Sequence, residues 1–245
     1  MDQGQIVRLT QRSDFACATF KPPTKDVGAR PVRSMNKTLA HMLVVSMAAT
    51  VLILHAGPQR EEHLADSVRS ALSAAVAGLP PPDPYLPSAA DKKIYDDWLQ
   101  TQQQRLSARL VQMHGPSGLP ELASPAAQRA FLQMVWYESH RAALDPALVL
   151  GMVEVESGFR KFAISSAGAM GVMQVMPFWT RVLGQGDATM LFQWQTNLRF
   201  GCVILRHYLK LEDGQLAMAL GRYNGSRGQN AYPQAVLAAQ QRWQP

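Results

Sequence analysis

The sequence holds two cysteines in 245 residues, Cys17 and Cys202. No disulfide framework follows, because Cys17 lies in an atypical leader whose removal leaves Cys202 without a partner. Cys202 sits in the apolar run FGCVIL with no histidine and acid close by, and reads as a small buried residue rather than a nucleophile. The six histidines are scattered and no HExxH occurs, so neither a metal site nor any other cofactor is expected. A nucleophile elbow is missing too, which removes the usual setting of a serine hydrolase. Neither an arginine cluster nor a basic strand interleaved with aromatics appears, so nucleic acid is not expected as a partner. The excess of 24 Lys/Arg over 18 Asp/Glu is concentrated at one end: residues 1–56 hold seven of the basic and three of the acidic residues, and the remainder is only +2.

What is present divides into three parts. Residues 1–56 are a leader whose core, LAHMLVVSMAATVLIL over residues 39–54, follows Lys37 and reads as an export or anchoring segment. Its 16 residues are slightly long for a signal core and short for a membrane span, so a cleaved signal and a retained anchor, at the inner or outer membrane, both stay open. Residues 1–34 are polar and contain proline, and Met35-Asn36-Lys37 would make an ordinary signal start. Residues 57–123 form a helical and proline-rich linker region: a short helix over 61–78, then LPPPDPYLP, which no helix accommodates, then an amphipathic helix from Asp91 to His114 with Ile94, Trp98, Leu99, Leu106 and Leu110 as its apolar stripe.

Residues 124–245 are compact in composition and helical in period. Ser124-Pro125 and Asp145-Pro146 are helix starts, the polar side chain accepting from free N–H groups and the proline losing nothing at the first position. Further helices are expected over 195–211, 215–223 and 233–243. With no alternating strand set and no internal repeat, the fold class is mainly α.

The stretch VEVESGF, Val153 to Phe159, poses the functional question. Residues i and i+2 of a helix lie about 200° apart around the axis, so Glu154 and Glu156 cannot serve one site. ESGF, the loop SSAGAMGVMQVMP beginning nine residues after Glu156, and RYNG far downstream together resemble the SLT-type lytic transglycosylases, relatives of goose-type lysozyme. That resemblance implies a lysozyme-like helical domain, peptidoglycan glycan strands as substrate and an exported, periplasmic or cell-envelope location. It implies that Glu156 is catalytic, that Ser165, Gln174, Met176 and Tyr223 line the sugar cleft, and that Asn224 completes the third motif.

The reaction so implied breaks the bond between N-acetylmuramic acid and N-acetylglucosamine and forms a 1,6-anhydromuramoyl product, with one glutamate as acid and then base. Tyr223 would orient Glu156, Gln174 and Ser165 would contact acetamides, and Met176 would pack on a sugar face. Glu154 is expected to face solvent or make a structural ion pair. His207 reads as a helix-surface residue. Arg222 departs from the family pattern: it could pair with Glu156 and lower its pKa, face solvent, or bind peptide carboxylates. Two rivals accompany this reading. A hydrolytic muramidase of the same fold would need a second acid, with Asp187, Glu212 and Asp213 as candidates, and a non-catalytic wall-binding protein would need none.

Overall fold

The computed structural model describes residues 86, 88–181 and 187–245. The leader with its apolar core 39–54, the helix expected over 61–78 and nearly all of the proline-rich segment lie outside the described residues. No helix of the described residues is long and apolar enough to cross a membrane.

Within them the architecture is mainly α. Helix α1, Ala89–His114, starts where Ser88 Oγ accepts from Asp91 N at 3.1 Å and ends at Gly115, whose φ of 80° breaks the helical run. Helices α2, Pro125–Arg141, and α3, Pro146–Ser157, start at the expected serine and aspartate, which accept from Ala127 N and Ala147 N. A short helix α4 covers Phe178–Arg181, and α5, α6 and α7 follow over Trp194–Leu211, Leu216–Asn224 and Ala231–Trp243. Two 3₁₀ turns, Pro120–Leu122 and Ala188–Phe192, were not legible in the periodicity. The described residues contain no strand, only isolated bridges from Met170 to Ile164 and to Val175.

Helix α1 is part of the core rather than of a linker. Tyr95, Leu99, Leu106 and Leu110, spaced by four or seven, are buried in one cluster with residues of every long helix. Ile94, expected in that stripe, is 62% exposed, and Tyr95 takes its place against Trp136.

Helix α3 runs through the middle. From Ala147 to Ser157 every residue but Val155 is buried, so the helix is apolar nearly all round instead of on one stripe. It packs most closely on α7. At the crossing stands Gly151, where an added Cβ would lie 2.7 Å from Gln240 N and 3.1 Å from Val236 O, both backbone atoms. No rotamer change can relieve that contact.

Between α2 and α5 a second buried feature bridges helices: Arg199 Nε donates to Glu138 Oε1 at 3.0 Å. Burial pushes the Glu138 carboxyl up, against the pull of Arg199 and Arg141. Cys202 on α5 is buried, and its thiol is pushed up by burial first and the Glu138 charge second. His207, expected at the surface of α5, is buried.

Gly151→Ala is expected to destabilise the fold by about 1–3 kcal/mol by forcing α3 and α7 apart. A lowered urea midpoint at unchanged slope checks it, and a midpoint equal to wild type would refute the close crossing.

Candidate active site

Glu156 occupies the last turn of α3, which Gly158 ends in the left-handed conformation at φ 59°. Its side chain reaches a cavity of about 830 Å³ whose wall also includes Ser165, Gln174, Met113, Arg160 and Ala235. The residue is only 7% exposed. Burial disfavours the charged carboxylate and pushes its pKa to about 8, while a hydrogen bond from Tyr232 pulls the other way. Tyr232 Oη donates to Glu156 Oε1 at 2.5 Å, which leaves Oε2 to carry the acidic proton. Both flanking phenols, Tyr232 and Tyr223, are raised by their own burial and then by the Glu156 charge, so neither ionises before the carboxyl does.

The orienting bond expected from Tyr223 is therefore made by Tyr232 at the start of α7. Tyr223 Oη instead donates to Met173 O at 2.7 Å and ties α6 to the loop facing Glu156. That loop, residues 165–176, is held from several sides. Asn197, buried on α5, donates to Met170 O and Leu191 O and accepts from Met173 N, all within 2.8 Å. Gly171 makes this possible: at φ 77° its missing Cβ would fall 2.3 Å from Asn197 Nδ2. Ser157 Oγ donates to Val172 O at 2.8 Å and fastens the loop to the end of α3.

The other expected site residues divide. Ser165 is half-buried on the cavity wall and closes the loop, its Oγ accepting from Ala169 N. Gln174 also lines the cavity, at a positive φ of 49°, with Nε2 donating to Gly171 O at 2.8 Å and facing Ala163 O at 3.3 Å. Met176 packs half-buried against the core, and Asn224 is buried and accepts from Ser226 Oγ; neither is on the cavity wall.

Of the two alternatives for Glu154, solvent or a structural ion pair, the structure shows the ion pair, on the same cavity wall as Glu156. Glu154 is buried and accepts from Arg109 Nη2 at 2.6 Å, from Arg242 Nη2 at 2.5 Å and from Trp243 Nε1 at 3.0 Å. One carboxylate thus joins α1, α3 and α7. A second tie from α1 lies on the far side of Glu156, where His114 Nε2 meets Gly158 O at 2.7 Å. Arg109 and Tyr232 were invisible to the sequence reading; each acts over a separation of 45 or 76 residues, with no local pattern around it.

Arg222 pairs with Glu212 at 2.6 Å and not with Glu156. Arg227 and then Arg222 hold the Glu212 carboxyl down to about 2. Asp187 is exposed and caps the 3₁₀ turn through Thr189. Asp187, Glu212 and Asp213 are all missing from the cavity wall.

Comparison with known proteins places this geometry in context. The family model of the transglycosylase SLT domain matches residues 133–243. A stretch of 49 residues, 20% of the chain, is 47% identical to the membrane-bound lytic murein transglycosylase C of Mannheimia succiniciproducens, of which it covers 14%. The transglycosylase of Enterobacteria phage PRD1 is 36% identical over 114 residues, 42% of each chain. A solved structure of the lytic transglycosylase Slt of Pseudomonas aeruginosa, as an inactive variant, aligns with 81% of this chain and 38% of its own at 18% identity and a TM-score of 0.38. The match therefore covers less than half the length of each of these relatives, from 14% to 42%.

Glu156 also sets a pH dependence of stability. Its pKa rises from 4.5 unfolded to about 8 folded, so between those values the native state holds a proton that the unfolded state has lost, and stability falls as pH rises through that window. Glu156→Gln removes this slope. The variant is expected to match wild type near pH 4.5 and to exceed it at pH 8 by on the order of a few kcal/mol. Denaturant titration at the two pH values reads the difference, and parallel curves would refute the buried acid.

Proposed function

With residues 133–243 belonging to the transglycosylase SLT family, we propose that the chain cleaves the bond between N-acetylmuramic acid and N-acetylglucosamine in peptidoglycan, with Glu156 as sole acid and base and a 1,6-anhydromuramoyl product. The observation that carries this is a single buried carboxyl, raised to about 8 and aimed by Tyr232, on the wall of a cavity large enough for sugars.

The steps follow from that pKa. At neutral pH Glu156 is mostly protonated and gives its proton to the glycosidic oxygen as the bond to the muramoyl anomeric carbon breaks. The muramoyl acetamide oxygen stabilises the positive carbon, the part a second carboxylate takes in most glycosidases. Glu156, now a carboxylate with a conjugate-acid pKa near 8, is basic enough to remove the proton from the muramoyl C6 hydroxyl. The C6 oxygen then attacks the anomeric carbon and closes the anhydro ring. No water is consumed, and the glutamate ends protonated as it began.

A hydrolytic reading needs a base to activate water. The one other carboxylate on the cavity wall, Glu154, is committed to two guanidinium groups and an indole. A purely binding role would be favoured if Arg222 paired with Glu156 and held it charged, and Arg222 is engaged with Glu212 instead. Delivery to the envelope, with membrane association through residues 39–54 if that segment is retained, belongs to the same proposal.

Digestion of purified peptidoglycan by wild type is expected to yield anhydromuramoyl ends in mass spectra and Glu156→Gln none; products one water heavier would make the enzyme a hydrolase. The free-enzyme kcat/KM is expected to fall above about pH 8. Tyr232→Phe removes the bond that lowers this pKa, so the alkaline limb moves to higher pH while kcat drops about tenfold or more through lost aim. A limb that stays in place under this substitution argues against Glu156 as the titrating acid.

A further inference from the structure

The cavity wall is unevenly charged. Three guanidinium side chains line it, Arg109, Arg160 and Arg242, together with two acids. Glu156 is neutral over most of the range below pH 8, and Glu154 carries the only carboxylate charge set against the three cations. Arg109 and Arg242 share Glu154, through Nη2 at 2.6 Å and 2.5 Å, and so bring two positive charges to one negative. Arg109 Nε is a buried donor with no hydrogen-bond partner. Arg160 is exposed, lies four residues after Glu156 just beyond the end of α3, and points no charge at any acid of the described residues.

These charges come from three separate places in the chain: α1, the turn after α3, and α7. Arg109 lies outside residues 133–243, so the family domain alone does not complete this wall. A concave wall with a net positive charge and an apolar remainder selects an anionic ligand and does so more strongly than an exposed surface patch would.

We infer that this arginine-lined wall is a second recognition element, which binds a carboxylate of the peptide stem attached to the glycan strand and so favours stem-bearing, anionic substrate over neutral substrate. The inference rests on the glycan reading of the cavity. Binding peptide carboxylates was one of three alternatives open for Arg222 in the sequence; the structure assigns the role to Arg160, backed by Arg109 and Arg242, because Arg222 pairs with Glu212. Arg160 is the group free to take the carboxylate directly. The other two supply field, since each is already bonded to Glu154.

The test compares two substrates of equal size: glycan strands with native stems and strands whose stem carboxylates have been converted to amides. Each is titrated by calorimetry against the full chain carrying Glu156→Gln, so that no cutting intervenes, with and without Arg160→Gln. Native strands are expected to bind about three- to tenfold more tightly than amidated ones, with the ratio shrinking as salt rises and collapsing toward one on Arg160→Gln. Arg160→Lys restores part of the ratio, and Lys93→Gln, an exposed change on α1 remote from the cavity wall, leaves it unaltered. Equal affinity for the two strands, a ratio unmoved by Arg160→Gln, or no binding to either strand overturns the inference. Retained charge preference in a wild type that leaves peptidoglycan intact would instead sink the catalytic proposal alone.

Discussion

The site depends on keeping one carboxyl group out of water. Helix α3 does this by being buried on nearly all sides, so that Glu156 reaches a cavity from an apolar helix and is itself nearly closed off from solvent. Two residues earlier the same helix solves the opposite problem. Glu154 is as deeply buried, but two guanidinium groups and an indole converge on it. Identical side chains on one helix are thus driven to different roles by what faces them. One is available for proton transfer and the other acts as a structural knot, although both lie on the wall of the same cavity; the difference is set by the partners each carboxyl has.

The loop from residue 165 to 176 shows what a motif can encode. Most of its fixed features look inward: Gly171 makes room for Asn197, Asn197 and Tyr223 hold Met170 and Met173, and Gln174 bonds to its own loop carbonyl. Such a loop costs little to hold open, because its polar groups are satisfied without a ligand.

Much of this was legible locally. Serine and aspartate followed by proline mark the starts of α2 and α3, and glycine marks the end of α3, because caps are satisfied within a few residues. Glu156 was singled out for the same reason, its neighbours in sequence carrying the pattern, and the structure places it buried on the cavity wall. Tyr232, Arg109 and the buried state of His207 were not legible, since each is decided by how helices distant in sequence pack. Ile94 and Tyr95 illustrate the limit within one helix, where a shift of one position exchanges an exposed residue for a buried one and periodicity alone does not choose. The role of α1 was underestimated because a proline-rich stretch before it looks like a boundary, although the helix behind that boundary shares the core.

The placement of Glu156 in the final turn of α3 has an electrical meaning as well. Carbonyl groups at the end of a helix add up to a partial negative pole of about half an elementary charge. A carboxylate near that pole is repelled, in the same direction as desolvation, and a positive charge forming within reach of Glu156 is attracted. Ending the helix at Gly158, two residues from the acid, therefore biases Glu156 toward its neutral form before any side chain beyond the helix is considered.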